Sequence, residues 1–265
     1  MMQFLTQFFL KNAFRSKRVL WMGILGFVPV VVAGFLLVVP PVIGRSVDAS
    51  SYFRELAFSL HLHILLPLFS ALVGAGIIAD EIEDQTLPYL LTRPVPKWRL
   101  AVSKSLAACA IVGMMLIASL LVTYSVLSMG GGPAAWISDM RTLLQACIVL
   151  ILGTLVYVSL FGVLGASIKK PVLTGLLFAF GWENFMAYMP SRIRLLTVVT
   201  YLHNLFPRAT RTIAGDGANE LFKYLDSSVS LTVPVSITVL LAMFLVFTAL
   251  TISLLYVKEY RLEQG

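Results

Sequence analysis

Four acids in five residues, Asp80-Glu81-Ile82-Glu83-Asp84, stand between two long apolar runs. Gln85-Thr86-Leu87-Pro88-Tyr89-Leu90-Leu91 follows, then a Pro-bounded basic stretch from Arg93 through Pro94, Lys97 and Arg99 to Lys104. Acids at the C-terminal end of a helix oppose its dipole at roughly 0.3–1 kcal/mol each. They must find cations, or the helix must break there, so the chemistry open to this segment is ion pairing and docking. Other candidate residues are scattered. His61 and His63 lie near the start of an apolar run and His203 lies in a later loop. Spacing of i, i+2 on a helix sends the first two to different faces, poor for a shared metal, and predicts interfacial histidines. Glu183 sits alone in Trp182-Glu183-Asn184, where a membrane carboxylate costs a few kcal/mol unless paired or facing water. The sequence predicts either pairing with Arg192 or Arg194 or a place on a substrate path. Cys109 and Cys147 have no paired or metal-ligand spacing and read as small core residues. Catalytic and metal sites are expected to be absent.

The elements that must position these residues are membrane helices. The 265-residue chain is 58% hydrophobic and 12% charged, about half the charged fraction of a typical soluble chain. A spanning helix needs about 20 mostly apolar residues, since its backbone must be satisfied inside hydrocarbon. Six runs qualify: Val19 to Ile43, Phe58 to Ile78, Ala101 to Met129, Leu143 to Ile168, Pro171 to Met189 and Val229 to Val257. They are continuous, without the period-two alternation of a β-barrel. Lys169-Lys170 marks the short turn between the fourth and fifth. Lys and Arg near the run ends place Lys11, Arg15, Lys17, Arg18, Arg93, Lys97, Arg99, Lys104, Lys169, Lys170, Lys258 and Arg261 on the cytoplasmic side. Both termini are then cytoplasmic, in the cytoplasmic (inner) membrane. The net charge of +7 becomes an inner-leaflet bias, and nucleic acid is an unnecessary partner.

Residues 1–18 carry Met1, Leu5, Phe8 and Phe9 at helical spacing, then four cations, which predicts an amphipathic interfacial helix. Residues 19–257 form the six-helix domain and 258–265 a cytoplasmic tail. No cleavable leader is expected, because the first apolar run is too long and lacks a small-residue cleavage site. Gly74-Ala75-Gly76-Ile77-Ile78-Ala79-Asp80 superficially matches a dinucleotide fingerprint but closes a spanning helix. Ala71, Ala75 and Ala79 at four-residue spacing suit close helix packing instead. No G-x-x-x-x-G-K-[ST] is present, so the chain has no phosphate cradle of that type. Within 80–100, Thr86 suits an N-cap, Leu87, Leu90 and Leu91 an apolar face, and Arg93-Pro94 a stop. The expected product is a short cytoplasmic helix parallel to the membrane. In the 190–228 loop, Ile193, Leu196, Val199, Leu202 and Leu205 or Phe206 form a helical stripe. An interfacial or re-entrant outer helix, a plausible gate, is expected there.

The 80–104 stretch resembles the pattern of ABC type-2 exporter permeases. Glu81 and Glu83 fall on its acidic positions, Thr86 and Leu87 on a Thr-Leu, Leu90 and Leu91 on a leucine pair. Pro94 and Val95 match a Pro-Val step and Lys104 a closing lysine; Gln85 replaces a glycine and Ile82 a common arginine. The resemblance implies that this segment is a coupling helix docking on a separate ATP-binding-cassette ATPase subunit, with Lys169 and Lys170 as a second contact. It further implies a homodimer of permeases, with ATP and Mg bound by the partner and no cofactor in this chain. Export, or force transmission to a further periplasmic or membrane partner, is the implied function. The cargo that the apolar spans favour is lipid-like, amphiphilic or peptide. The reading from a different class, a membrane-embedded enzyme or scaffold, requires a polar cluster at depth, which the sequence does not reveal.

Overall fold

Every regular element among the described residues is helical. The computed structural model describes residues 6–7, 9–10, 17–42, 49–83, 97–131, 139–168, 170–187, 192–206 and 232–257. Five helices are long and apolar enough to cross a membrane: α1 (Arg18–Val39), α2 (Ala49–Ala79), α3 (Trp98–Met129), α4 (Met140–Ser167) and α7 (Val233–Val257). Between the last two come α5, three consecutive helical segments of 7, 6 and 4 residues over 171–187, and α6 (Val198–Leu205). The expected fifth span is therefore helical but short. At 1.5 Å per residue α5 covers about 25 Å, against a hydrocarbon core of about 30 Å. The N-terminal helix predicted for 1–18 is described only at residues 6–7 and 9–10, which are helical.

The second helix starts earlier than its apolar run suggests. Ala49–Leu56 is amphipathic and buries Phe53 and Leu56, so the polar Ser50, Ser51, Arg54 and Glu55 concealed a helical face. Ser50 donates to the Asp139 carboxylate at 2.9 Å and also accepts from Arg54, which ties the beginning of α2 to that of α4. Its central part, Ala57–Leu65, widens into π-type turns, with the Leu66 N–H reaching the His61 carbonyl five residues back. Pro67 gives the reason. It has no N–H and its ring clashes with the carbonyl four residues earlier, so the preceding turn opens. Pro29 acts similarly in α1: the helix is interrupted at Phe27, whose N–H turns to the Ile24 carbonyl at 3.1 Å. Ser119 of α3 donates to the Gly26 carbonyl at this kink, at 2.5 Å.

Helix α2 is the centre of the bundle, with 72% of its apolar window buried, against 28% for α1 and 17% for α7. Its contact with α4 depends on missing side chains. A Cβ on Gly165 would meet the Ala75 carbonyl oxygen at 2.3 Å, and one on Gly74 the Val158 carbonyl oxygen at 2.9 Å. The Gly74-Ala75-Gly76 stretch is thus a helix crossing, as the spacing of its small residues predicts.

Candidate functional site at the inserted helix

Helix α6 does not lie flat on one end of the bundle. It buries Val198, Val199, Tyr201 and Leu202, and Leu202 reaches the side of α4 at Gly153, beside Leu66 of α2. Its first N–H, that of Val198, donates to Glu183 Oε1 at 3.0 Å. The other oxygen of Glu183 accepts a short hydrogen bond from the Tyr157 hydroxyl. Tyr157 lies roughly 25 Å along α4, a helix about 42 Å long, so this cluster is deep in the bundle. The helix therefore enters from the far end, opposite the acidic segment, and its N-terminus stops at a carboxylate. Glu183 is 2% exposed, and it satisfies an N-terminal donor that no residue of its own turn caps.

The local sequence explains why a remote group does this work. Thr197, at the N-cap position, is extended (φ −97°, ψ 141°) and makes no capping bond. Its hydroxyl is bound instead to the Arg194 carbonyl at 2.8 Å and to Thr200. The single helical stripe expected through 193–206 is consequently two pieces, a 3-10 turn at Arg192–Leu196 and α6. Leu196, expected on the same stripe as Val199 and Leu202, is 74% exposed because the break at Thr197 changes the phase. Tyr201 pins the two pieces together by donating to the Leu195 carbonyl at 2.8 Å.

The C-terminal end of α6 is held by side chains. Asn204 donates to Ser236 of α7 at 2.9 Å. His203 meets His63 of α2, Nε2 to Nε2, at 2.7 Å, and Phe206 packs on Phe58 with centroids 5.5 Å apart. His63 and His61 do point to different faces. His61 is fully buried, not interfacial, and its Nε2 lies 3.1 Å from Ser119.

At the acidic end, Glu81 and Glu83 are in the last turn of the helix Gly76–Glu83; their side chains, and Thr86, Leu87, Leu90, Leu91, Pro94 and Lys169, lie outside the described residues. Lys104 is placed clearly: its Nζ donates to the Ile77 carbonyl at 3.1 Å and sits 5.2 Å from the Phe9 ring centroid. Lys170 is exposed at the N-cap of Pro171–Leu177. Arg194 is in the 3-10 turn, its carbonyl bound by Thr197; the Arg192 side chain is outside the described residues. For Glu183 the partners among the described residues are Tyr157 and Val198, where the sequence predicted either pairing with Arg192 or Arg194 or a place on a substrate path. Tyr157 carried no signal in an apolar run, and the polar cluster at depth was for that reason missed.

Five membrane-length helices in one bundle, with a further helix inserted between them, define a multi-pass membrane protein. The chain belongs to the ABC-2 transporter family: the model described as ABC-2 family transporter protein matches residues 9–182. It is thus a transmembrane permease component of an ABC transporter, in a family whose members normally pair with an ATPase subunit. No curated relative matches the sequence. The family match ends one residue before Glu183, leaving α6 and α7 outside it.

Proposed function

We propose that this chain relays ATP-driven motion from a separate ATP-binding-cassette ATPase, which holds the ATP and Mg, to the inserted helix α6 as an outer gate. The observation that carries the reading is the Lys104 contact. It joins α3 to the Ile77 carbonyl of α2, directly beside the acidic segment, so a push on residues 84–96 reaches both helices together. Helix α2 extends from that point to the His63 contact with α6, which supplies a helical path between the two ends. In this reading Glu81, Glu83, Thr86, Leu87, Leu90, Leu91 and Pro94 dock on the ATPase, with Lys169 and Lys170 as a second contact. Residues 171–187 complete a sixth crossing, both termini are cytoplasmic, and two copies pair, because one bundle cannot enclose a pathway. Export of an amphiphilic cargo or force transmission to a further partner is the output.

The enzyme reading gains no support from the deep polar cluster. Both Glu183 oxygens and the Tyr157 hydroxyl are taken up in structural hydrogen bonds, and the described residues place no nucleophile–base pair beside them. Co-purification of the permease with its ATPase tests the proposal. The combined Glu83→Lys and Leu90→Lys substitutions should abolish recovery of the ATPase while leaving the permease in the membrane. Undiminished recovery overturns the assignment of this segment.

A further inference from the structure

The contact between His63 and His203 joins two elements 140 residues apart in sequence, and two imidazoles that meet nitrogen to nitrogen must share their protons. The Nδ1 of His63 lies 2.9 Å from the Phe58 carbonyl oxygen. A carbonyl only accepts, so Nδ1 carries the proton of the neutral ring and Nε2 is an acceptor. The His203 nitrogen 2.7 Å away is then the donor, and His203 is protonated at Nε2. The neutral pair therefore holds two protons, one of them between the rings. A third goes to the remaining basic nitrogen, Nδ1 of His203, and leaves the bridging bond in place. A fourth must go to Nε2 of His63, where two N–H groups on two cations face each other with no acceptor between them. The Phe58 ring packs on both, 4.6 Å from His63 and 4.8 Å from His203, centroid to centroid.

We propose that His63 and His203 form an acid-labile clasp, which fixes α6 to α2 at neutral pH and releases it when both rings are protonated. The sign follows from the proton count. The released state binds one proton more than the clasp can hold, so the clasp is complete at neutral pH and is lost as pH falls. Coupled groups take up their protons in successive steps, and only the last of them opens the contact. Glu55, two turns earlier on α2, acts electrostatically on His63. Arg54 and Asp139 turn instead to Ser50, and His61 to Ser119. Among the described residues, the long helices packed on this part of α2 bring Tyr124 of α3, and Arg141 and Cys147 of α4, to the same half of the bundle. Helix α6 itself adds Tyr201, bound to the Leu195 carbonyl, and α7 has no titratable group before Tyr256. A released α6 keeps its bonds to Glu183 and Ser236, so the response is a loosening of that helix and not unfolding of the bundle. The clasp works whichever side of the membrane α6 faces, and with or without an ATPase attached.

The full-length chain in lipid nanodiscs tests this without reference to transport. Deuterium exchange of the 198–206 amides is followed, corrected for the chemical exchange rate at each pH. Protection should fall at least ~10-fold between about pH 7.5 and about pH 4.5. His203→Gln is the control, since an amide side chain both donates and accepts and does not titrate; its protection should be equal at the two pH values. An equal fall in that variant takes the response away from the histidines, to a group such as Glu183 at the other end of α6, and overturns the proposal. Unchanged protection in the wild type does the same. Nitrogen NMR on isotope-labelled histidine reads the wild type alone, should the variant fail to fold. Two of the three rings should be singly protonated at neutral pH, one at Nδ1 and one at Nε2, with a coupling between them that disappears on acidification. A bridge that survives at the acidic pH, or rings already doubly protonated at the neutral one, refutes the clasp.

Discussion

Glu183 shows how one side chain can organise a whole segment. Its carboxylate receives the Val198 N–H and the Tyr157 hydroxyl, so three elements, α4, α5 and α6, meet at two oxygen atoms. Removing the carboxylate leaves two buried donors unpaired, each worth about 1–3 kcal/mol. Glu183→Ala should therefore lower the thermal stability of the purified protein and expose the Arg194 region to trypsin. Glu183→Gln, which retains an acceptor oxygen, should cost less. Equal behaviour of the two variants contradicts the capping role. Glu183 itself was legible in the sequence as an expensive group needing a partner. Its partners were not, because a tyrosine in an apolar run and a backbone N–H in a loop carry no sequence signal. Ser119 is a second such contact without a sequence signal: it is bound to both the kink of α1 and His61.

At the scale of elements, α2 and α4 set the spacing of the bundle. Gly165→Ala places a methyl group 2.3 Å from the Ala75 carbonyl, and two long helices must separate to admit it. Overpacking of that kind costs about 1–3 kcal/mol. Gly113→Ala on α3 meets nothing within 4 Å and should instead stabilise, by up to about 1 kcal/mol of helix propensity. Thermal unfolding of the two variants in detergent should thus shift in opposite directions; a common direction refutes the close-crossing account. The Lys104 staple makes a second prediction. Lys104→Met keeps the aliphatic stem but loses the bond to Ile77, so amides at 97–104 should exchange faster in deuterium-labelling mass spectrometry. ATPase stimulation in the assembled transporter should fall at the same time. Unchanged exchange removes Lys104 from the relay.

For the molecule as a whole, the number of crossings decides where α6 works. If residues 171–187 cross, reporter fusions at the two termini will lie on one side of the membrane. If only the five long helices cross, the termini will lie on opposite sides, and the outer position of α6 fails with them. Composition and run length alone determined that the protein is an all-helical membrane protein, since apolar stretches of this length must satisfy their own hydrogen bonds inside lipid. The motif around 80–104 was sufficient to indicate the family, because its residues are adjacent in the chain. Only the tertiary structure decided the rest. Pro67 was visible, but not the π-type opening it imposes on Ala57–Leu65. The helical stripe of 193–206 was visible, but not the break at Thr197 that turns Leu196 outward. Nor could spacing bring His63 to His203 or Glu183 to Tyr157. Hydrophobic periodicity reports which face of a helix avoids water, whereas these contacts depend on how deeply one helix enters among the others.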